Sequence, residues 1–371
     1  MTWWVVLSGG MTLLLALMFL GVPIFVSFLI LNVIGMLVLI GPAGFGMFAN
    51  SMYTVATLAD LAAVPLFILM GELLFRSGTM NILLDSLDRL VGGVRGRQFI
   101  LCILLSAICG ALAGAAMAVA GLLGRSLYPT MVNRGYDMRM SAGTILGGAS
   151  LDAIIPPSVL AIIIAHLAKV STGKMLIAGI LPGLLLTALF LIYVVVSVRL
   201  SPGLSPDVRG ELKDPATRGP AWLAIVRMLP VTLIFGLVVG LIMAGVATPT
   251  ESAATGVAGA ALLAWWNGGL NLVMLRQAIS SGVTVAGIML AVMACATMFS
   301  QLLIFSGVMN ALGDFIMGLE FPAYAMLFTM LAIPFVLFMF LDQVSVLMVL
   351  IPIYQPILGL YDFDVIWFWP L

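Results

Sequence analysis

The chain alternates long apolar stretches with short polar connections, and this pattern predicts its elements. No charged residue occurs over 1–59 or over 277–313. A membrane-crossing helix needs about 20 predominantly apolar residues, so these stretches have room for several crossings. Charged residues gather instead around 72–97, 125–139 and 199–218. The pattern predicts an all-α chain that crosses a membrane many times.

Composition places the chain among membrane proteins. Hydrophobic residues make up 63% of it, charged residues make up 8%, and its mean hydropathy is +1.25. Soluble domains carry about 25% charged residues, so a soluble fold is excluded. The net charge is zero and the basic residues do not cluster, which argues against a nucleic-acid partner. The first apolar stretch lacks the basic start of a secretory signal, so we interpret it as a retained span.

The arginines fix the orientation of the first half. They occur in the connections around 76–97 and 125–139, so both connections are expected on the cytoplasmic side. The stretch at about 98–125 must then enter and leave the membrane on that side. It is too short for two crossings of about 20 residues each, so we predict a re-entrant hairpin. Its tip is expected near Gly110 to Gly114, where small residues let backbones approach closely.

The remaining polar segments divide the chain into two halves. We predict a helix over 141–168 that crosses outward and a span over 175–198 that returns. A polar stretch rich in Pro and Gly follows over 199–221, and we interpret it as a cytoplasmic linker. The first half is therefore 1–198, with three spans before its hairpin, and the second half is 222–371.

The two halves are related in sequence. ELLFRSGTMNILLDSL at 72–87 and QLLIFSGVMNALGDFI at 301–316 share eight of sixteen residues, at an offset of 229. Arginines surround the first copy, whereas only acidic charges follow the second. These charge environments place the copies on opposite sides of the membrane. The prediction is an inverted-topology repeat, as found in secondary transporters.

The repeat also predicts more chain than the sequence contains. In the first half the hairpin is followed by a helix that contains Pro156 and Pro157, but the second half stops at Leu371, before such a helix. Either the protein lacks its last helices or this sequence is a fragment. We interpret it as a fragment, truncated before a second broken helix.

Each repeat copy is followed by an amphipathic stretch. Apolar and charged residues alternate with a rough helical period over 80–90, and 308–319 is the equivalent stretch of the second half. Such helices lie flat in the membrane interface. We expect them to act as arms that join moving and fixed parts of the protein.

The stretch DAIIPPSVL, at 152–160, interrupts an otherwise apolar helix. Proline has no backbone N–H and clashes with the carbonyl four residues back, so Pro156 and Pro157 are expected to break the helix. Carbonyls around Ile155 then lose their partners, which is tolerated only in protein interior or beside a water-filled cavity. A desolvated Na⁺ suits such oxygens, and the half-helix beginning at Ser158 directs its positive end at an anion. A plain kinked helix is the alternative.

Six motifs occur together along the chain. They are PLFILMGELLFRSG (65–78), RGYD (134–137), IIPPS (154–158), AGILPGLL (178–185), ATPTESAA (247–254) and FLDQVS (340–345). In this combination and order the chain resembles the large membrane subunit of the tripartite ATP-independent periplasmic (TRAP) transporters. Each motif alone is weakly specific, but the resemblance covers essentially the whole chain.

The resemblance implies both a fold and a function. The fold is that of the ion-transporter superfamily, an all-α polytopic membrane protein with an inverted-topology repeat, two re-entrant hairpins and broken helices. The function is import of a small organic acid by an elevator motion, driven by a cation gradient, normally Na⁺. The partners are a small four-helix membrane subunit and a periplasmic substrate-binding protein, and the location is the bacterial inner membrane. No cofactor is implied besides the coupling ion, Na⁺ or H⁺.

The chain departs from the family pattern at two places. The first hairpin tip often reads Ser-Gly-Ser in the family, but here it is Ala113-Gly114-Ala115, without hydroxyl ligands. Asp152 stands where a glycine usually precedes the prolines. Two hypotheses follow: Asp152 carries a proton, or it completes a Na⁺ site with the backbone of Gly110, Ile155 and Pro157. A carboxyl that only bonds backbone amides is the structural alternative, although an acid within the membrane is a functional candidate by default.

The second hairpin is expected to turn at Asp342 and Gln343. Facing the first hairpin across a pseudo-two-fold axis, they and Ser345 are predicted to complete a substrate or cation site. A polar turn that satisfies only its own backbone is the alternative. The full predicted set is Gly110, Ala113, Gly114, Asp152, Ile155, Pro156, Pro157, Ser158, Asp342, Gln343 and Ser345.

Other polar residues are interpreted as structural. Glu72 and Arg76, four apart on one helix face, are expected to form an ion pair. Glu251, just after Pro249, is expected to cap its helix. His166, the one histidine of the chain, is expected near the outer interface.

Other classes of function are weighed against transport. An enzyme is not expected, because the sequence has no HExxH, no GxSxG and no paired His or Cys. The remaining alternatives are a binding-protein-independent organic-anion symporter of related fold and a non-transporting scaffold subunit. In the resembled family the periplasmic partner makes the main selection of the acid, so the expected substrate is stated only as a small organic anion.

Overall fold

The computed structural model describes residues 3–42, 44–113, 116–206, 221–318, 320–341 and 343–370. Every regular element in these ranges is a helix, which confirms the predicted all-α fold. Most of the predicted linker lies outside the described residues, as do Gly114 and Asp342.

The first half begins with apolar helices and ends with the predicted returning span. Its described α-helices are α1 (Trp3–Phe19), α2 (Ile24–Leu39), α3 (Gly44–Thr57), α4 (Ala63–Arg76), α5 (Thr79–Val91), α6 (Arg97–Ala113), α7 (Ala116–Ser126), α8 (Tyr128–Asn133), α9 (Met138–Ala149), α10 (Val159–Leu167), α11 (Thr172–Ala178) and α12 (Ile180–Leu200). Short 3₁₀ turns lie at Ala59–Ala62, Ser150–Ala153 and Pro202–Leu204.

The second half repeats the same order of spans, arm and hairpin. Its described α-helices are α13 (Ala221–Met243), α14 (Pro249–Trp266), α15 (Leu272–Phe305), α16 (Val308–Gly318), α17 (Ala323–Leu337), α18 (Gln343–Leu360) and α19 (Val365–Phe368). The pairs α6–α7 and α17–α18 occupy the positions of the two predicted hairpins.

Several helices have the length and apolar composition to cross a membrane. Within the described ranges four do so on their own: Thr172–Leu200, Trp222–Met243, Leu272–Phe305 and Gln343–Leu360. The pair α3–α4, bent by 58°, forms a fifth candidate span. Shorter apolar helices include α1, α2 and α17. These helices identify the chain as a multi-pass membrane protein.

Helix α4 lies at the centre of the packing. It contacts α14 and α15 of the second half, and α15 in turn contacts α2. Phe67 and Met70 of α4 are buried in this core. Phe28 of α2 meets Phe299 of α15 edge to face, with ring centroids 5.9 Å apart. The two halves are therefore interlocked through their early helices.

Equivalent local structures recur in the two halves at the repeat offset. Ser77 ends α4 by donating its hydroxyl to the Leu74 carbonyl at 3.0 Å, and Ser306 ends α15 with the same bond to Leu303 at 3.0 Å. The glycine that follows each serine has a positive φ, 75° at Gly78 and 71° at Gly307. Glycine adopts this conformation without strain, which lets the chain turn sharply from the span into the arm.

Two polar contacts between the halves are reciprocal. The Ser51 hydroxyl donates to Gln301 Oε1 at 2.8 Å, and the Ser281 hydroxyl donates to Glu72 Oε1 at 2.9 Å. Glu72 and Gln301 are separated by the repeat offset of 229, and Ser51 and Ser281 by 230. Each half thus presents the same surface to the other, as copies related by a two-fold axis do.

The pair α3–α4 of the first half and α15 of the second half are equivalent spans, but they differ near the middle. The first copy is interrupted between Thr57 and Ala63 and bends there, whereas α15 continues over 34 residues. Thr250 of α14 donates its hydroxyl to the Ala59 carbonyl at 3.2 Å. The bend between α3 and α4 thus has a side-chain contact with α14 of the second half.

The amphipathic stretches are helices, as predicted. In α5 the side chains of Leu83 and Leu87 are buried while Asp85 is exposed. In α16 Ile316 is buried and Asp314 is exposed. The predicted polar contacts form as well: Arg76 Nε donates to Glu72 Oε2 at 2.7 Å, and Thr248 and Glu251 make a capping box at the start of α14.

Candidate functional site

The helix predicted over 141–168 is interrupted, with bounds that differ from the prediction. It starts earlier, at Met138, because the Asp137 side chain accepts the Met140 N–H and caps α9. The α-helix ends at Ala149 and resumes as α10 at Val159. The intervening residues form one 3₁₀ turn and then irregular backbone through the two prolines.

Ser158 closes one side of the break. Its hydroxyl donates to the Ala153 carbonyl at 2.9 Å and accepts the Ala161 N–H at 3.3 Å. The side chain is 1% exposed. Ser158 therefore provides a partner for the Ala153 carbonyl within the break and for the Ala161 N–H in the first turn of α10. These two bonds fix the start of α10 relative to the break.

Backbone carbonyls remain available within the break. In the described part of the chain, no backbone N–H bonds to the carbonyl oxygens of Ile154, Ile155, Pro156 or Pro157. Proline accounts for part of this, since Pro156 and Pro157 have no N–H to donate. Carbonyl oxygens without donors can accept a cation or water.

The first hairpin packs directly on the break. A Cβ placed on Gly110 of α6 would lie 2.9 Å from the Cα of Asp152 and 3.0 Å from its N atom. Nearby, a Cβ on Gly148 would lie 2.4 Å from the Ser106 hydroxyl oxygen. Asp152 is 5% exposed. The first hairpin and the broken helix are therefore in direct backbone contact at Gly110 and Asp152.

Two glycines at the turn between α11 and α12 also approach the backbone of the break closely. A Cβ on Gly179 would lie 2.5 Å from the Ile154 carbonyl oxygen, and a Cβ on Gly183 would lie 2.8 Å from a side-chain carbon of Ile155. The turn between α11 and α12 thus follows the irregular backbone closely. The sequence interpretation did not assign these two residues to the site. Their spacing is the small-xxx-small signal that permits close backbone approach, so it was available in the sequence.

A cavity of about 360 Å³ lies beside the break. Residues of the break and of the first turns of α10 line one side of it, and residues of α17, α18 and the last described segment line the other. The lining residues include Ala153, Ile154, Ala161, Gln343, Tyr354 and Trp369. The second hairpin and the broken helix thus line the same cavity.

Two polar atoms of the cavity wall have no hydrogen-bond partner among the described residues. They are the Tyr354 hydroxyl oxygen and the Trp369 indole nitrogen. Tyr354 is 4% exposed. Buried polar groups normally have partners, so these two can hydrogen-bond a solute or water. A further bond, from Gln355 Nε2 to the Ala168 carbonyl at 2.9 Å, joins α18 to the end of α10.

The structure brings only part of the predicted site together. Gln343 lines the cavity, but the side chains of Pro156 and Pro157 pack on the other side of the break, against α11, α12 and α13. Ser345 is fully buried in α18. Gly114 and Asp342 lie outside the described residues, as does the side chain of Ala113. The prolines therefore shape the break, and their side chains do not line the cavity.

The described residues around the break do not include a cluster of charged metal ligands. Within the described residues, no group of three or more His, Cys, Asp and Glu side chains is placed to hold a metal ion. Oxygen ligands at the break would come mainly from the backbone. Such a donor set suits a weakly held monovalent cation better than a transition metal.

Comparison with known proteins agrees with the resemblance. The family model for the DctM component of the tripartite ATP-independent periplasmic transporters matches residues 11–369. The chain is 27% identical to the C4-dicarboxylate TRAP transporter large permease protein DctM of Pseudomonas aeruginosa, over 80% of this chain and 68% of that protein. It is 27% identical to the ectoine TRAP transporter large permease protein TeaC of Halomonas elongata, over 92% of this chain and 79% of that protein.

A solved structure shares the fold. The Alcanivorax borkumensis YdaH transporter superposes with a TM-score of 0.57 and 16% sequence identity, over 88% of this chain and 76% of that one. At this identity the similarity concerns the fold alone. Because the family model spans almost the whole chain, the protein belongs to the DctM family, the large membrane permeases of the tripartite ATP-independent periplasmic transporters.

Proposed function

We propose that this permease imports a small organic acid that a periplasmic binding protein delivers, and that a cation gradient drives the import. Membership of the DctM family supports transport, and relatives named as C4-dicarboxylate and ectoine permeases support a small polar solute. The permease works with a small four-helix membrane subunit in the bacterial inner membrane. The cation is Na⁺ or H⁺.

The helix break beside the cavity is the observation that carries the proposal. The first turn of α10 faces the cavity through Ala161, and the N-terminal end of a helix carries a partial positive charge. A carboxylate placed there is stabilised without a basic side chain. Gln343, Tyr354 and Trp369 supply further polar groups to the same cavity. The site therefore suits a small anion held mainly by neutral donors.

The cation is assigned to the other side of the break. Gly110 and Asp152 are in contact there, and the carbonyls of Ile155 and Pro157 accept no backbone N–H from the described residues. In one form of the proposal Na⁺ binds these oxygens together with the Asp152 carboxylate. In the other form Asp152 carries a proton, and no Na⁺ is needed.

An elevator motion is proposed for the transport step. The reciprocal contacts of Ser51 with Gln301 and of Ser281 with Glu72 support two copies related by a pseudo-two-fold axis. In transporters with inverted repeats the solute site lies at the repeat interface, and one unit moves against the other. Here the hairpins and the broken helix form the moving unit, while α2, α4, α14 and α15 form the scaffold. The arms α5 and α16 join the two.

Reconstitution tests the proposal directly. The permease, its small subunit and its binding protein are placed in proteoliposomes, and uptake of candidate acids is measured with Na⁺ and H⁺ gradients imposed separately. Uptake that follows only the Na⁺ gradient supports a Na⁺ site, and uptake that follows only the H⁺ gradient supports the proton form. Asp152→Asn is expected to reduce coupled uptake at least ten-fold in either form.

The matched control is Asp314→Asn, which changes an exposed carboxylate on α16. Its uptake is expected to equal that of the unmodified protein. Transport that is indifferent to Asp152→Asn would remove both forms of the cation assignment. Uptake without the binding protein would identify a binding-protein-independent symporter, and the absence of any solute-dependent ion flux would identify a scaffold subunit.

A further inference from the structure

A second cavity shares no lining residue with the cavity at the helix break. Its volume is about 640 Å³, and it forms a groove between the arm α5 and the helices α13 and α14. Leu233, Leu237 and Leu262 line the apolar part of the groove and are 45–61% exposed. These side chains gain little cover from the rest of the described chain.

The groove has a polar mouth at one end. Arg227, in the second turn of α13, and Asp85 of α5 both line it. Trp266 and Asn267, at the end of α14, line the same mouth. Tryptophan is enriched at the membrane–water interface, and an amphipathic helix such as α5 lies in that plane. The mouth is therefore at headgroup depth.

The apolar part extends from the mouth towards the middle of the membrane. Arg227 and Leu237 are ten residues apart on α13. At 1.5 Å per residue this corresponds to about 15 Å, which is half the thickness of the hydrocarbon core. The groove thus has the depth that one acyl chain of a single leaflet requires.

Arg227 and Asp85, the charged residues at the mouth, form no ion pair with a described residue. Within the described residues, ion pairs join Glu72 to Arg76 and Asp88 to Arg97, and neither Arg227 nor Asp85 takes part in one. Both side chains are exposed. One cation and one anion above an apolar groove match a phosphate followed by a primary ammonium group. An anionic headgroup without an amine would meet repulsion from Asp85.

We propose that this groove binds a phospholipid with an ethanolamine headgroup. The phosphate lies against Arg227, the ammonium lies against Asp85, and an acyl chain follows Leu233, Leu237 and Leu262. The lipid fills the space between the arm α5 and the helices α13 and α14, so it stabilises the attachment of the arm. The site is independent of the organic acid and of the coupling cation.

Native mass spectrometry of the full chain tests the proposal. The detergent-solubilised protein is titrated with palmitoyl-oleoyl phosphatidylethanolamine, phosphatidylglycerol or phosphatidylcholine. The ethanolamine lipid is expected to be retained at a stoichiometry of one and with the highest affinity. Arg227→Gln is expected to weaken retention about ten-fold, as expected for loss of a charge-assisted bond. Asp85→Asn is expected to abolish the preference over phosphatidylglycerol.

Two controls keep the result interpretable. Arg199→Gln removes an exposed arginine at the end of α12, outside the groove, and is expected to leave retention unchanged. Arg227→Lys keeps the charge and is expected to retain most of the binding. Equal retention of all three lipids, or retention that is insensitive to Arg227→Gln in monodisperse protein, would overturn the proposal.

A photo-reactive residue at Leu262 identifies the occupant in the assembled transporter. Cross-linking to phospholipid in membranes supports the proposal. Cross-linking to the small membrane subunit instead would show that a protein helix covers the groove and would overturn it.

Discussion

At the scale of single residues, glycines determine how closely the backbone approaches the helix break. Gly110 lies against Asp152, and Gly179 lies against the Ile154 carbonyl. In both places a side chain would meet backbone atoms, which cannot rotate away. The close fit of hairpin, break and following helix therefore depends on the absence of a side chain at these positions.

Gly110→Ala is expected to disturb this fit. The new Cβ would lie about 3 Å from the Asp152 backbone, and overpacking of this kind costs about 1–3 kcal/mol. A lower unfolding temperature in detergent and a loss of most uptake are expected. Gly121→Ala, on α7, is the control, since a Cβ there meets no atom within 4 Å. Equal behaviour of the two variants would show that the contact with Asp152 is unimportant.

Tyr354→Phe separates function from stability. The Tyr354 hydroxyl is buried and has no protein partner among the described residues, so its removal is expected to leave stability unchanged or slightly raised. If the hydroxyl bonds the solute, the KM for uptake rises roughly ten-fold. Tyr361→Phe is the control: it loses a bond to the Phe321 carbonyl, with no effect expected on KM. An unchanged KM for Tyr354→Phe would place the solute away from α18.

At the scale of elements, the sequence analysis predicts the break at Pro156 and Pro157 and misses the bend between α3 and α4. The interruption at Pro156 and Pro157 and the arms α5 and α16 follow from local chemistry and hydrophobic period. The 58° bend between α3 and α4 also has a local signal, which the sequence interpretation did not use: Pro65, in the first turn of α4, has no N–H to donate and clashes with the carbonyl of Leu61, four residues back. Tertiary contact accompanies that bend, with Thr250 bonding the Ala59 carbonyl.

The candidate site shows the same division. Asp152 and Ser158 are identifiable from sequence because polar residues in an apolar helix are costly and therefore informative. Gly179, four residues before Gly183, had a small-xxx-small signal that the sequence interpretation did not use. The participation of Tyr354 depends on which helices meet, and only the folded chain shows it. For the same reason the sequence could not show that Pro156 and Pro157 do not line the cavity.

The contact between Ser51 and Gln301 tests how the two halves are joined. A double-mutant cycle with Ser51→Ala and Gln301→Leu is expected to give a coupling energy of about 0.6 kcal/mol, the average for hydrogen bonds between membrane helices. Thermal unfolding in detergent measures it. A cycle of Ser51→Ala with Thr297→Val is the control, since Thr297 bonds only within its own helix. Additivity in the first cycle would mean that the bond contributes nothing to the interface.

At the scale of the whole molecule, an inverted arrangement of two copies explains several separate observations. The Ser77 and Ser306 helix ends match, the contacts of Glu72 and Gln301 are reciprocal, and the hairpin of the second half shares a cavity with the broken helix of the first. The charge pair of Glu72 with Arg76 has no counterpart at Gln301 and Phe305. A positive charge on one copy alone is expected if only that copy faces the cytoplasm.

Side-specific labelling of single cysteines is the most direct test of the inverted arrangement. Val94 and Phe321 lie in the turns after α5 and α16 and are 49% and 45% exposed, whereas the native Cys102, Cys109 and Cys295 are buried. Val94→Cys and Phe321→Cys are treated with a membrane-impermeant maleimide in right-side-out and inside-out vesicles. The account predicts that Val94→Cys reacts only from the cytoplasmic side and Phe321→Cys only from the periplasmic side. Reaction of both cysteines from the same side would contradict it.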